Sequence, residues 1–173
     1  GNVMGSRGSV IPFFLECINK GELIPITDGS MTRFMMSLLD AVNLVKFALN
    51  SNTTGSTYVQ KSPAATISTL VEALSLYFER DLIVKDIGIR HGEKLHETLL
   101  SYEECSRVVD RGDYYEVMED ERDSNYLKVE NLDFSIKKPT LTEPYSSQNT
   151  HRLDAEALLK LIIKAGLLEE KSL

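Results

Sequence analysis

Three short segments carry the polar groups best suited to binding chemistry: Asn2 to Ser9, Thr27 to Phe34, and Arg90 to Glu97. Each falls at the end of a predicted strand, where open α/β sheets bind their ligands. Arg33 and Arg90 can each fork onto phosphate oxygens, which a planar guanidinium does better than an ammonium group. Ser6, Ser9 and the backbone around Gly5 and Gly8 can donate further hydrogen bonds to the same anion. A plainer reading competes. Both arginines can pair with nearby acids such as Asp28, Asp86 or Glu93, and residue types alone leave that choice open.

Other constellations carry less. His91 and His96 are five residues apart, not the four that put two imidazoles on one helix face for zinc, so no metal site is expected. The acidic run Glu116 to Asp123 lacks the glycine and closing glutamate of a calcium loop and reads as a solvated face. Met31, Met35 and Met36 read as core. No G-x-G-x-x-G turn, P-loop or G-x-S-x-G elbow occurs, and no tyrosine is followed four residues later by lysine. No catalytic residue is therefore assigned within the chain.

These segments need elements to hold them. Residues 1–9 read as a strand end passing into a loop, and Ser9 can cap a helix over about 10–20, with Pro12 tolerated in its first turn. Gly21 stops that helix. Leu23–Thr27 and Met31–Met36 read as short extended segments separated by an Asp28-Gly29 turn. Ser37-Leu38-Leu39-Asp40 is a capping-box pattern opening a helix to about Leu49. That helix is apolar on most of its circumference, as one buried between layers would be. Strands are predicted at Thr57–Val59 and Leu82–Ile89, with helices at Ile67–Phe78 and Gly92–Leu100. The alternation is an α/β pattern. We read 1–101 as one α/β region and 102–173 as an irregular extension packed on it. That extension is expected to carry one or two short strands, then a last helix over about 155–165 capped by Asp154.

Composition narrows the function classes. With 173 residues, 42% hydrophobic and 26% charged, the chain can bury a core. A net charge of -7 argues against nucleic-acid binding, yet two placed arginines can hold a diphosphate whatever the global charge. Two cysteines, Cys17 and Cys105, make no disulfide framework, so a cytoplasmic location is expected. No run approaches the roughly 20 apolar residues of a membrane span. The opening Gly1-Asn2-Val3-Met4-Gly5 reads like the interior of a longer chain, so a processed, tagged or truncated end is expected.

Gly1 to Phe14 resembles the stretch just after the catalytic Tyr-Lys pair of extended short-chain dehydrogenase/reductases, and more narrowly the polysaccharide-biosynthesis dehydratases acting on UDP-N-acetylglucosamine. Pro25-Ile26-Thr27-Asp28 with Met31-Thr32-Arg33-Phe34 is similar to the next hallmark of that family. Ile89-Arg90-His91-Gly92-Glu93-Lys94-Leu95-His96-Glu97 is similar to a third. His91, where many relatives have proline, and the tail Tyr145 to Leu153 resemble the capsule and O-antigen subgroup of 4,6-dehydratase/5-epimerases. Members of that subgroup often carry the name UDP-glucose 4-epimerase.

The resemblance implies the C-terminal, substrate-binding part of such an enzyme, without the N-terminal Rossmann half. It implies that Asn2 bonds the substrate diphosphate or sugar, Arg33 and Arg90 clamp the diphosphate, Glu93 bonds the ribose or its surroundings, and Ser9, Val10 and Ile11 line the nucleotide pocket. Gly1 would lie near the nicotinamide. In full-length relatives NAD(P) takes a hydride from C4 of the sugar, water leaves across C5 and C6, and the hydride returns at C6. No cofactor is expected on this chain alone. Expected partners are a weakly held UDP-sugar and further copies of the chain, with no nucleic acid or membrane. Two alternatives stay open: a non-catalytic remnant serving as a binding or oligomerisation module, and part of a UDP-hexose 4-epimerase.

Overall fold

In the computed structural model, residues 3–51, 53–119 and 140–170 are described. Helix α1 (Val10–Lys20) follows the glycine-rich opening. Gly21 ends it with a left-handed φ of 69°, and its N–H reaches the carbonyls of Cys17 and Ile18. Strands β1 (Ile24–Ile26) and β2 (Thr32–Phe34) come next. Helix α2 (Leu38–Asn50) opens on the predicted capping box: Asp40 N–H donates to the Ser37 hydroxyl, and Ser37 N–H donates to the Asp40 carboxylate.

Strands β3 (Thr57–Gln60) and β4 (Ala64–Thr66) lead into helix α3 (Ile67–Phe78), which has the predicted bounds. Strand β5 (Val84–Asp86) runs parallel to β1, pairing Ile24 with Val84 and Ile26 with Asp86. β2 pairs antiparallel with β4, Arg33 opposite Ala65.

The stretch expected as a helix over Gly92–Leu100 is instead a turn followed by strand β6 (Thr98–Leu100). Gly92 has φ 81°, which breaks a right-handed helix at its first residue. β6 pairs with strand β9 (Tyr145–Ser146), a partner 45 residues on in the tail. The region after Ser101 is also more ordered than expected. It holds the short helix α4 (Tyr102–Cys105) and strands β7 (Val108–Asp110) and β8 (Tyr114–Val117) as well as β9. β8 forms a local hairpin with β7 and pairs along its other edge with β3, a distant segment that local pattern cannot reveal. Tyr126 and residues 120–123 of the acidic run lie outside the described residues.

Two apolar clusters hold these elements. The larger collects Ile11, Phe14 and Ile18 of α1, Met31 and Met35, Leu70 and Leu74 of α3, and Leu158 and Ile162 of helix α5 (Ala155–Lys164). Asp154 caps α5 as predicted, accepting from Ala157 N–H. The smaller cluster joins Phe34 and Val59 to Leu100, Cys105, Val108, Val117 and Tyr145. Both cysteines are buried and unbridged.

One apolar helix lies bare, and one reading is corrected. No residue of α2 is buried: Leu38, Leu39, Val42, Val45 and Leu49 all face outward. A helix this apolar is bare because nothing among the described residues covers that face. Glu116, read as part of a solvated face, is 1% exposed. Burial alone would raise its pKa. Hydrogen bonds from Arg111, Thr53, Ser56 and Tyr58 outweigh that and hold it at about 2. The Arg111 Nε–H lies 2.7 Å from its Oε2.

This yields a stability prediction. The carboxyl titrates lower in the folded chain than its ordinary 4.5. Its stabilising contribution is therefore complete above about 4.5 and lost as pH falls towards 2. Urea unfolding of the wild type and Glu116→Gln across that window should show the stability gap between them narrowing in acid. A gap that stays constant would show that the carboxylate charge contributes nothing.

Candidate functional site

The glycine-rich opening, β2 and the turn after β5 converge on one cleft. The opening is tied beside β2 by a parallel bridge from Val3 to Met36 and by Met4 N–H donating to Met36 carbonyl at 2.8 Å. Gly5 and Gly8 then turn the chain with left-handed φ near 76° and 77°, which a side chain would resist. The chain thus reaches Ser9 at the N-cap position of α1 beside Arg33.

Ser9 does not cap in the expected manner. Its side chain makes no hydrogen bond to the helix, and its Oγ is buried without a partner among the described residues. An orphaned hydroxyl is costly in a closed interior. Here it belongs to a chamber of about 270 Å³ lined by Ser6, Arg7, Ser9, Val10, Ile11 and Arg33, among others.

A second chamber, of about 260 Å³, shares Gly8, Val10 and Arg33 with the first. It adds Phe13 and Phe14 of α1, Thr27, and Arg90 with Glu93 from the turn. Arg33 and Arg90 therefore border one cavity, though 57 positions separate them in sequence. Apolar walls with a few convergent polar groups are the usual make-up of a small-molecule site.

The two arginines are held differently. Arg33 projects from the middle of β2, its side chain 18% exposed. Its Nη1 donates to the carbonyls of Thr32 at 2.8 Å and Leu95 at 3.3 Å. Its Nε lies 3.8 Å from the Glu97 carboxylate, a loose pair. Arg90 is exposed, and among the described residues no acid pairs with its guanidinium. The acids weighed as partners are otherwise engaged. Asp28 accepts from Ser30, Asp86 accepts from Gly88 N–H, and Glu93 accepts from the backbone N–H of Arg90. Glu93 also accepts from the Thr27 hydroxyl at 3.2 Å, which braces the turn against the β1 end.

Gly1 and Asn2 lie outside the described residues. Ser9, Val10, Ile11, Arg33, Arg90 and Glu93 all border the two linked chambers. Sequence reasoning quoted Glu97 and Ser147 within its motifs but gave neither a role. The Ser147 hydroxyl, in the tail, accepts from Glu97 N–H at 2.9 Å and sits 2.6 Å from the Thr32 hydroxyl. No local pattern marks a serine 115 positions from its partner. His96 is drawn into the same cluster, its Nδ1 2.8 Å from the Thr32 hydroxyl. Among the described residues no three His, Cys, Asp or Glu side chains gather as a metal site would require, and no helix is long and apolar enough to cross a membrane.

Comparison with known proteins identifies the family. Residues 1–119 match the family described as polysaccharide biosynthesis protein. UDP-glucose 4-epimerases of Rickettsia canadensis and Rickettsia conorii are each 46% identical over 173 residues, covering 99% of this chain and 50% of the relative. The chain thus spans about half the length of the curated relatives it matches. The X-ray structure of Pen from Bacillus thuringiensis superposes with a TM-score of 0.79 at 31% identity, covering 97% of this chain and 48% of that one. The chain belongs to the polysaccharide biosynthesis protein family of extended short-chain dehydrogenase/reductases, and corresponds to its C-terminal half.

Proposed function

We propose that the chain is the substrate-binding half of a nucleotide-sugar 4,6-dehydratase/epimerase of polysaccharide biosynthesis, inactive by itself, and that its cleft holds the diphosphate of a UDP-sugar. The observation that carries this reading is the pair of arginines on one cavity, with the Arg90 guanidinium left unpaired among the described residues. Arg33 is preset by two carbonyls and Arg90 stands at the mouth, so a diphosphate between them receives charge-assisted hydrogen bonds from both. Ser9, Val10 and Ile11 line the adjoining chamber for the nucleotide, and Glu93 is braced by Thr27 for the ribose or its surroundings. In this reading Asn2 bonds the diphosphate or sugar and Gly1 lies near the nicotinamide.

In this reading the NAD(P) of the full-length relatives is held mainly by their dinucleotide-binding half, and this chain borders it only at Gly1. What this half supplies is position: it fixes the nucleotide so that the sugar projects towards the groups that react. The names of the Rickettsia relatives favour a second reading, in which the complete protein is a UDP-hexose 4-epimerase. The acid/base residues that separate the two readings lie outside this chain. Turnover of UDP-glucose against UDP-N-acetylglucosamine by a full-length relative carrying this half would decide between them.

Binding should be weak, because an open cleft loses freedom on closing round its ligand. A dissociation constant in the millimolar range is expected, about -4 kcal/mol. In an NMR titration with UDP at several millimolar, shifts should cluster at Val10, Arg33 and Glu93. Arg90→Ala should abolish them and His96→Ala should leave them nearly unchanged. A silent titration of the wild type would mean that no cleft forms in the isolated chain.

The isolated chain should not convert UDP-N-acetylglucosamine, with or without added NADP. The 4-keto-6-deoxy product appearing with pure chain would reveal a catalytic group within it. We also propose that further copies cover the bare apolar face of α2, since large exposed apolar patches tend to become interfaces. Sedimentation should then show a dimer or larger assembly. A clean monomer at high concentration would contradict this.

A further inference from the structure

The tail does more than cover a core. Every polar partner of the Arg33 side chain sits on a segment that Ser147 touches or borders. Ser147 is 0% exposed and Thr32 1%. The Ser147 N–H donates to the Glu97 carbonyl at 2.8 Å, and its Oγ accepts from the Glu97 N–H at 2.9 Å. Both backbone groups of Glu97 are therefore latched to one residue. The same Oγ lies 3.1 Å from the Thr32 carbonyl, which it can reach as donor, and 2.6 Å from the Thr32 hydroxyl. Thr32 N–H in turn donates to the Leu95 carbonyl at 2.9 Å. The Arg33 guanidinium rests on the Thr32 carbonyl, the Leu95 carbonyl and the Glu97 carboxylate, with a weak contact to Met31 Sδ at 3.5 Å.

We propose that Ser147 is a positioning residue for the cleft: its buried hydroxyl locks β2 to the Leu95–Glu97 segment, and that lock sets the direction of Arg33. The inference rests on the diphosphate reading above for its purpose, though not for its geometry. A buried hydroxyl engaged with several groups holds them in one arrangement, and losing it leaves those groups unsatisfied in a dry interior. The peptide groups about the lock stay in place only while they have partners. The Arg152 guanidinium reinforces the tail from behind, donating to the carbonyls of Ser147 and Gln148. His96 adds a bond to the Thr32 hydroxyl but none to Ser147, so removing its ring leaves the lock closed.

Tyr145 supplies the control. It lies in the same tail, and its hydroxyl bonds the Ser62 carbonyl at 3.2 Å and the Thr150 hydroxyl at 2.9 Å, none of them a partner of Arg33. Tyr145→Phe removes a tail anchor without touching the lock. The experiment uses the ¹⁵N-labelled chain and reads two quantities: the relaxation of Arg33 Nε without ligand, and the affinity for UDP. Ser147→Ala should loosen Arg33 Nε and weaken UDP binding by about fivefold or more, the loss of one well-formed buried hydrogen bond. Tyr145→Phe should leave both near wild type. Should Ser147→Ala not fold, Thr32→Val opens the hydroxyl link while keeping the side chain's shape, and carries the same expectation. An Arg33 Nε as rigid in the variant as in the wild type overturns the proposal, and so do equal effects from Tyr145→Phe. Arg33→Ala is titrated alongside. If it binds UDP as the wild type does, the diphosphate reading fails, and the unliganded relaxation of Arg33 then decides the positioning claim alone.

Discussion

The backbone of Thr32 is the point on which the arrangement of the cleft depends. Its N–H bonds the turn after β5, its carbonyl receives the Arg33 guanidinium, and its hydroxyl meets the tail and His96. Its strand is paired along the other edge to β4, which leads straight into α3 and the larger core. One buried residue thus couples a core strand, a surface turn and a distant tail. A network of this kind is stabilising only when every member is satisfied. That is why the tail belongs to the same structural unit as the site.

Around that point the molecule separates rigid from open surfaces. The clusters built on α1, α3 and α5, and on β3, β7 and β8, are closed and apolar. The cleft between the glycine-rich opening and the 90–93 turn is not: it keeps an exposed arginine, a serine hydroxyl without a partner among the described residues, and aromatic walls. A net charge of -7 does not oppose an anionic ligand here, because the field at the cleft is set by the few groups that border it. A buried hydroxyl left without a partner costs stability in an isolated domain, and such groups are found where a ligand completes them.

Much of this was legible in the sequence, for identifiable reasons. α3 announces itself by its apolar period, α5 by its period and by Asp154 at its cap, and the Ser37–Asp40 pair marks the start of α2. Arg33 and Arg90 were both singled out by residue type beside predicted strands, but their convergence was not fixed by one sheet: Arg33 lies within β2, and Arg90 follows β5 of a separate strand pair. What stayed hidden was non-local. β6 exists because the tail pairs with it, and the β7–β8 hairpin joins a sheet only through β3, and neither of these distant partners can be read from a local window. Glu116 looked like a member of an acidic surface run until Arg111 and Tyr58 were found closing over it. Ser9 has the residue type and place of a cap, yet its hydroxyl makes no cap bond. Ser147 carried no signal, since a serine in a polar tail is ordinary until its partners are known.

The most direct test of the account is a crystal structure of the chain with UDP. The diphosphate should lie between Arg33 and Arg90, each guanidinium within hydrogen-bond reach of a phosphate oxygen, with the uridine against Val10 and Ile11. UDP bound elsewhere, or held at this cleft by only one of the two arginines, would contradict the claim that these residues form a shared anion clamp.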